Sequence, residues 1–337
     1  MLRAARSRLD RRTFVTTLAL VSVLATGAFS GQAAAQDKYP SRPVTIVLPF
    51  GAGGVGDVTA RLAASELSNQ LGQQFVIENK PGAGGIVAAR AVTSAAPDGY
   101  TLGLVANGTA ISAAMFKTLP IDPVKQFEMI SLLGTFDLVV VAAADSPYKT
   151  LQDFLAAAKA QPGKLNIGTI AVGSGQHLTA SLLKVAAGID AVVVPHKTSV
   201  DVTTSLLRGD VQIVVEIPAA IRSLLAGNKV RILATTGPTR SKVAELKDIP
   251  TAQEAGVPGL DVVSWNGFFA PVGTPPEVIE TINAALRKVL ADPAMQKRYL
   301  DLGVEAQASS PAELKDKLTS DIRKWKDVMQ RAGIPQQ

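Results

Sequence analysis

Two glycine-rich stretches near the start of the chain hold its most informative chemistry. Gly51-Ala52-Gly53-Gly54-Val55-Gly56 spells a formal G-x-G-x-x-G, and Pro81-Gly82-Ala83-Gly84-Gly85 nearly repeats it one unit later. The first follows the β-branched run Val44-Thr45-Ile46-Val47-Leu48, and the second follows Gln74-Phe75-Val76-Ile77. Helical spacing at Val58, Leu62, Leu67 and Leu71 predicts a helix over 57–71. A loop between a strand end and a helix start gathers backbone N–H groups at the positive end of a helix dipole, which is chemistry for an anion.

A dinucleotide is the obvious guest, and Glu78 sits about 20 residues on, where a ribose-binding acid is wanted. Two features argue otherwise. Pro49 separates the strand from the first glycine, and a dinucleotide fold needs one such loop rather than two. Paired strand-loop-helix units suit one anionic ligand held between them; the plainer alternative is that both loops are tight turns. Asp57 has two readings as well, a ligand contact or a helix-start residue answering unpaired N–H groups.

Other chemistries are poorly supplied. Ser174 and His177 stand three apart, but Val172 occupies the first glycine position of a G-x-S-x-G and no orienting acid is evident. Two histidines and no cysteine leave too few ligands for a zinc site. No Lys-Ser/Thr pair follows the glycines, which excludes a P-loop. No catalytic residues, metal or cofactor are expected.

The first 35 residues read as an export signal. Arg3, Arg6, Arg8, Arg11 and Arg12 precede an apolar stretch from Phe14 to Phe29, and Ala33-Ala34-Ala35 offers a small-residue cleavage site, with cleavage expected near Ala35. The stretch is shorter than the roughly 20 apolar residues a membrane span needs. Arg11-Arg12 followed by Thr13-Phe14-Val15 suggests twin-arginine export, with an ordinary secretory signal as the alternative. Removing this segment leaves 29 basic and 27 acidic side chains, a net charge of +2 in place of +6. The remainder has no basic run with interleaved aromatics, so nucleic-acid binding is not expected. With no cysteine, the fold depends on its core alone in an oxidising compartment.

The elements that must position the loops alternate strand and helix throughout, which predicts an α/β protein with mostly parallel sheets flanked by helices. One set runs to Leu133 and Leu138–Ala143. After Pro147 a second complete set begins, with helices at 150–160, 175–187, 199–208 and 218–227 separated by short apolar strands. Three amphipathic helices, 275–291, 293–302 and 310–332, close the chain. The layout implies two lobes joined by two crossings near 133–140 and 260–267: a first lobe of 36–137 and 263–337, and a second of 138–262. The cleft between them is the expected site.

Longer motifs now carry a resemblance. Tyr39-Pro40-Ser41-Arg42-Pro43, Pro49 through Asp57, Glu78 through Gly85, Ala96 through Leu102, Leu119-Pro120-Ile121-Asp122-Pro123, Pro250 through Gly259 and Pro271 through Pro275 together resemble the substrate-binding receptors of tripartite tricarboxylate transporters, or Bug receptors. The similarity covers essentially the whole mature chain. It implies a periplasmic, two-lobed Venus flytrap protein with two crossover connections, not an enzyme, that closes over a small carboxylate and delivers it to membrane permease subunits. A monomer is expected.

The resemblance also implies site residues. In the first lobe these are Gly53, Gly54, Val55, Asp57, Gly84 and Gly85, with Asn107, Gly108 and Thr109 after the third strand. In the second lobe they are Ser174, Gln176, His177, His196, Thr198 and Glu216. The chain departs from the family pattern there: His196 stands where tyrosine is common, Thr198 where glycine is, and the stretch around Glu216 is one residue short. Ligand identity is therefore not transferred. Glu216 could accept an ammonium group or repel a second carboxylate. The two histidines suggest a pH-dependent ligand contact, against a plainer reading as a helix-start and a surface-turn residue that never meet. An exported nicotinamide oxidoreductase and a sensory receptor remain the alternatives.

Overall fold

The structure, a computed structural model, describes residues 39–82 and 85–337. The expected export signal and Gly84 lie outside the described residues. Every strand and helix below belongs to one compact unit, Arg42–Gln337.

Strand β1 (Val44–Leu48) leads to helix α1 (Val55–Leu71), β2 (Phe75–Asn79), α2 (Ile86–Thr93), β3 (Thr101–Ala106), α3 (Asn107–Met115) and a single turn, α4 (Pro123–Gln126). Then β4 (Phe127–Asp137) runs almost directly into β5 (Val139–Ala143). The middle of the chain continues with α5 (Leu151–Ala160), β6 (Asn166–Thr169), α6 (Gly175–Ala187), β7 (Val192–Pro195), α7 (Ser199–Arg208), β8 (Ile213–Glu216), α8 (Pro218–Ala226) and β9 (Val230–Thr235). The last part holds β10 (Val263–Pro271), α9 (Pro276–Ala291), α10 (Pro293–Asp301), β11 (Glu305–Ala306) and α11 (Pro311–Arg331).

These strands form two sheets, in the orders β11-β4-β10-β3-β1-β2 and β7-β6-β8-β5-β9. Both are mixed, which corrects the expectation of mostly parallel sheets. β1 runs parallel to β2 and β3, and β6 parallel to β7 and β8. β10 is antiparallel to β3 and β4, β11 to β4, and β5 to β8 and β9. The cause is connectivity. A parallel neighbour requires a crossover, usually helical, whereas the chain passes from β4 to β5 and from β9 to β10, between the sheets, through segments that contain no helix. Helix α3 was not foreseen either, because Asn107-Gly108 reads as a turn and Thr109–Met115 has no clear apolar period.

The C-terminal helix α11 begins at Ser310, whose hydroxyl accepts the Glu313 N–H while the Glu313 carboxylate accepts the Ser310 N–H. It packs on α3 and β4 of the first sheet and on α6 beside the second. Its buried face carries Leu314, Leu318, Trp325, Val328 and Met329.

The two passages between sheets are stitched by one side chain. Fully buried Thr236 accepts the Leu138 N–H at 3.0 Å and donates to the Val262 carbonyl at 2.7 Å. Its backbone N–H bonds Leu138 O at 3.0 Å and its carbonyl accepts the Val262 N–H at 2.7 Å. Beside this stitch lies a carboxyl cluster. Burial first, then the charges of Glu305 and Asp261, push the Asp137 carboxyl up to about 7.

The sign follows from proton counting. Between about pH 4 and about 7 the unfolded chain has lost the Asp137 proton while the folded protein keeps it, so stability falls as pH rises through that window and levels off above it. Asp137→Asn is expected to raise Tm at pH 8, to leave it nearly unchanged at pH 4, and to flatten the slope between. Calorimetry across that range measures it, and an unaltered slope would mean the carboxyl is ionised in the fold.

Candidate functional site

The first glycine loop is shaped by a carboxylate behind it. Gly53 has φ 91°, a left-handed conformation costly for other residues, and Gly54 then enters α1 in extended geometry with no side-chain cap. The buried Asp57 Oδ2 accepts the Gly53 N–H and the Arg61 Nε–H, both at 3.0 Å. Its Oδ1 accepts the Asn79 amide at 2.8 Å. Burial alone would raise this carboxyl, but hydrogen bonds from Arg61, Gly53 and Asn79, with the Arg61 charge, hold it down at about 2. Asp57 is thus committed to the loop's internal architecture, and so is the Gly53 N–H.

Asn79 joins this loop to the next unit. Its amide also donates to the Phe50 carbonyl at 2.9 Å, and its Oδ1 accepts from Arg61 at 2.8 Å. The parallel pairing of β1 with β2 sets Asn79 opposite Leu48, just before the second loop. There Gly85 adopts φ 94° and its N–H turns back to Gly82 O at 2.9 Å, so this donor too is used internally. Glu78 is half exposed and ion-paired with Lys80 at 3.1 Å. Arg61 and Asn79 were missed from sequence. The i, i+4 spacing of Asp57 and Arg61 was a visible signal, whereas the role of Asn79 needs the strand register.

Three helices start here without side-chain caps: α1 after Gly54, α2 after Gly85 and α3 after Ala106. Elsewhere α5, α6, α7, α10 and α11 are capped by Thr150, Ser174, Thr198, Asp292 and Ser310, while α8 and α9 begin on Pro218 and Pro276 without a side-chain cap. The uncapped starts face two adjoining cavities that share Phe50 and Ala106 in their walls. One, of about 330 Å³, is lined by Gly82, Gly85, Ile86, Gly108 and Thr109 and, from across the cleft, Gly173. The other, of about 420 Å³, is lined by Gly51 to Gly56 without Gly53, and by Phe136, Trp265 and Asn266. No charged side chain lines either cavity among the described residues.

Asn107 is buried as the first residue of α3, where its Oδ1 accepts the Trp325 indole N–H at 3.0 Å. Gly108 and Thr109 face the smaller cavity. The second-lobe candidates are more dispersed. Ser174 and Thr198 serve as helix caps, accepting the backbone N–H groups of His177 and Asp201 at 3.1 Å each. The Ser174 hydroxyl therefore bonds the backbone of His177 and not its ring, which removes a serine-hydrolase pairing.

Gln176 donates to Oε1 of the fully buried Glu216 at 3.0 Å, and the Ile217 N–H meets the same oxygen at 2.8 Å. Glu216 Oε2 has no partner among the described residues. The histidines do not meet. The His177 ring takes the Gly173 N–H at 3.5 Å and borders a separate cavity with Lys184 and Arg331, and burial lowers its pKa. His196 Nδ1 lies 3.0 Å from Val194 O and 3.3 Å from Thr169 O, two acceptors that fix its proton on that nitrogen.

Asp57→Ala is expected to cost on the order of 2 kcal/mol at pH 7, the scale of lost charge-assisted hydrogen bonds. The carboxylate's contribution is complete above its ordinary value of 3.8 and is lost as pH falls through about 2. Urea unfolding at pH 7 and pH 3 checks this, and the gap between variant and wild type should narrow at the lower pH.

Comparison with known proteins agrees with this geometry. The sequence profile of the tripartite tricarboxylate transporter family receptor matches residues 59–334. A UPF0065 protein of Agrobacterium vitis, from the TAR-I ttuE-ttuC' intergenic region, is 34% identical over 89% of this chain and 87% of its own. Among solved structures, Rpa4515 of R. palustris with adipate superposes with a TM-score of 0.76 at 32% identity, covering 88% of this chain and 99% of that one. MatC from Rhodopseudomonas palustris with bound malate gives 0.71 at 33% identity, over 86% and 99%. The chain belongs to the tripartite tricarboxylate transporter receptor family, whose members are two-lobed binding proteins and not enzymes.

Proposed function

We propose that this chain is a periplasmic receptor that closes over a small carboxylate and delivers it to the permease subunits of a tripartite tricarboxylate-type transporter. The observation that carries the reading is the convergence of three uncapped helix starts on adjoining cavities with no charged side chain in their described lining. Helix starts leave N–H groups unpaired, and aligned peptide dipoles favour negative charge there. The Asp57 charge is answered by Arg61, so it does not cancel this preference. Adipate and malate in the two similar R. palustris proteins support a carboxylate as the anion.

In this reading the donors are the N–H groups of Gly54, Val55, Gly108 and Thr109, with Gly85 shaping the second loop and Asp57 holding the first. The lobes are 36–137 with 263–337, and 138–262, and the latter brings Gln176, His196, Thr198 and Glu216 toward the ligand on closure. Binding stabilises the closed form through contacts made across the cleft. The export signal is removed near Ala35 and the mature receptor acts as a monomer.

A thermal-shift screen of mono-, di- and tricarboxylates beside NAD and NADP tests the reading: an acid should raise Tm and the nucleotides should not. A nucleotide shift with none from any acid would overturn it. Gly108→Leu gives an independent check, because a Cβ at Gly108 meets nothing within 4 Å and its backbone is ordinary helix. The variant should fold with unchanged or slightly higher Tm and lose at least tenfold in acid affinity by calorimetry, since its side chain enters the cavity.

A further inference from the structure

We propose that the acid taken up by this receptor is a monocarboxylate with an apolar, ring-sized body, and not a di- or tricarboxylate; this rests on the carboxylate reading above. The smaller cavity continues from the glycine loops into the first lobe and is walled by Ile86, Ala89, Leu104, Leu119 and Ile121. Phe269 and Phe127 also line it, stacked with centroids 3.7 Å apart and planes 16° from parallel. Gly103 makes room for this pair, because a Cβ there would come within 2.3 Å of a Phe269 ring carbon.

Polar groups in this wall are few and grouped. Gly108, Thr109 and Ser112 lie along the first turns of α3, and positions 108 and 112 fall on one helix face. The Thr109 and Ser112 hydroxyls and the leading backbone N–H groups of α3 make one polar margin, enough for a single carboxylate. The rest offers no donor side chain: no Lys, Arg, His, Asn or Gln lines the cavity among the described residues. A second carboxylate carried into that space would lose its water without a partner, which is strongly unfavourable, whereas a ring or branched chain would gain by leaving water. The volume of about 330 Å³ is at the small end of ligand sites, suited to one ring with a short acid arm.

Calorimetry on the mature protein with benzoate, phenylacetate and 4-methylpentanoate, against malate, adipate and citrate, tests the proposal, with benzamide as the uncharged control. The expected result is at least tenfold tighter binding of one or more of the apolar monoacids than of any di- or triacid, and no binding of benzamide. Leu119→Arg places a cation in the apolar wall at a half-buried position and should weaken the monoacids at least tenfold while tightening adipate. Its fold is checked by circular dichroism. Tighter binding of a di- or triacid by the wild type overturns the proposal and leaves the carboxylate reading standing. Benzamide binding as well as benzoate, or no acid binding at all, overturns the carboxylate reading and the proposal with it.

Discussion

The first lobe's cleft depends on keeping one buried carboxylate ionised. Asp57 sits in the first turn of a helix, where the dipole favours it, and its two oxygens are occupied by Gly53, Arg61 and Asn79. That network fixes the left-handed turn at Gly53. Through Asn79 and the Phe50 carbonyl it also fixes the loop's position relative to β2. The charge balance is as consequential as the geometry. An unpaired carboxylate beside a ligand site would repel an anion, and Arg61 converts it into a neutral strut. What remains at the helix start is a set of backbone donors with a positive dipole and no competing side chain.

Caps are distributed across the molecule in a way that follows from the same requirement. Most helices that begin away from the cavities carry Thr, Ser or Asp caps that satisfy their leading N–H groups, and α8 and α9, which do not, begin on Pro218 and Pro276, whose nitrogens have no N–H to satisfy. The three that begin around the two cavities carry no such cap. Glycine or alanine at those cap positions leaves the donors unpaired and allows close approach of another molecule to the backbone. Phe50 and Ala106 line both cavities, so the two spaces adjoin where the starts of α1, α2 and α3 come together.

Much of this was legible before any coordinates. Helices 175–187 and 199–208 fall where the sequence reading put them, because helical patterning is a local signal. The glycine loops announced an anion for the same reason. The antiparallel pairing of β10 was not legible, since it depends on how the chain returns from the other sheet. Helix α3 was hidden by small residues whose burial comes from α11, more than 200 positions away in sequence, through contacts such as Trp325 with Asn107. The second-lobe candidates show the opposite limit. The resemblance singles out Ser174 and Thr198 as ligand contacts, and the structure adds that their hydroxyls cap α6 and α7, a role no motif match displays.

The bonds around Thr236 have a mechanical meaning. Two separate linkers between rigid bodies could bend independently, which would permit twisting and sliding as well as opening. Here a single hydroxyl and its own peptide group tie Leu138 on one linker to Val262 on the other, so neither can shift without carrying its neighbour. Pinned at one point, the two passages are mechanically coupled, so a displacement of one sheet relative to the other loads both strands of the connection together.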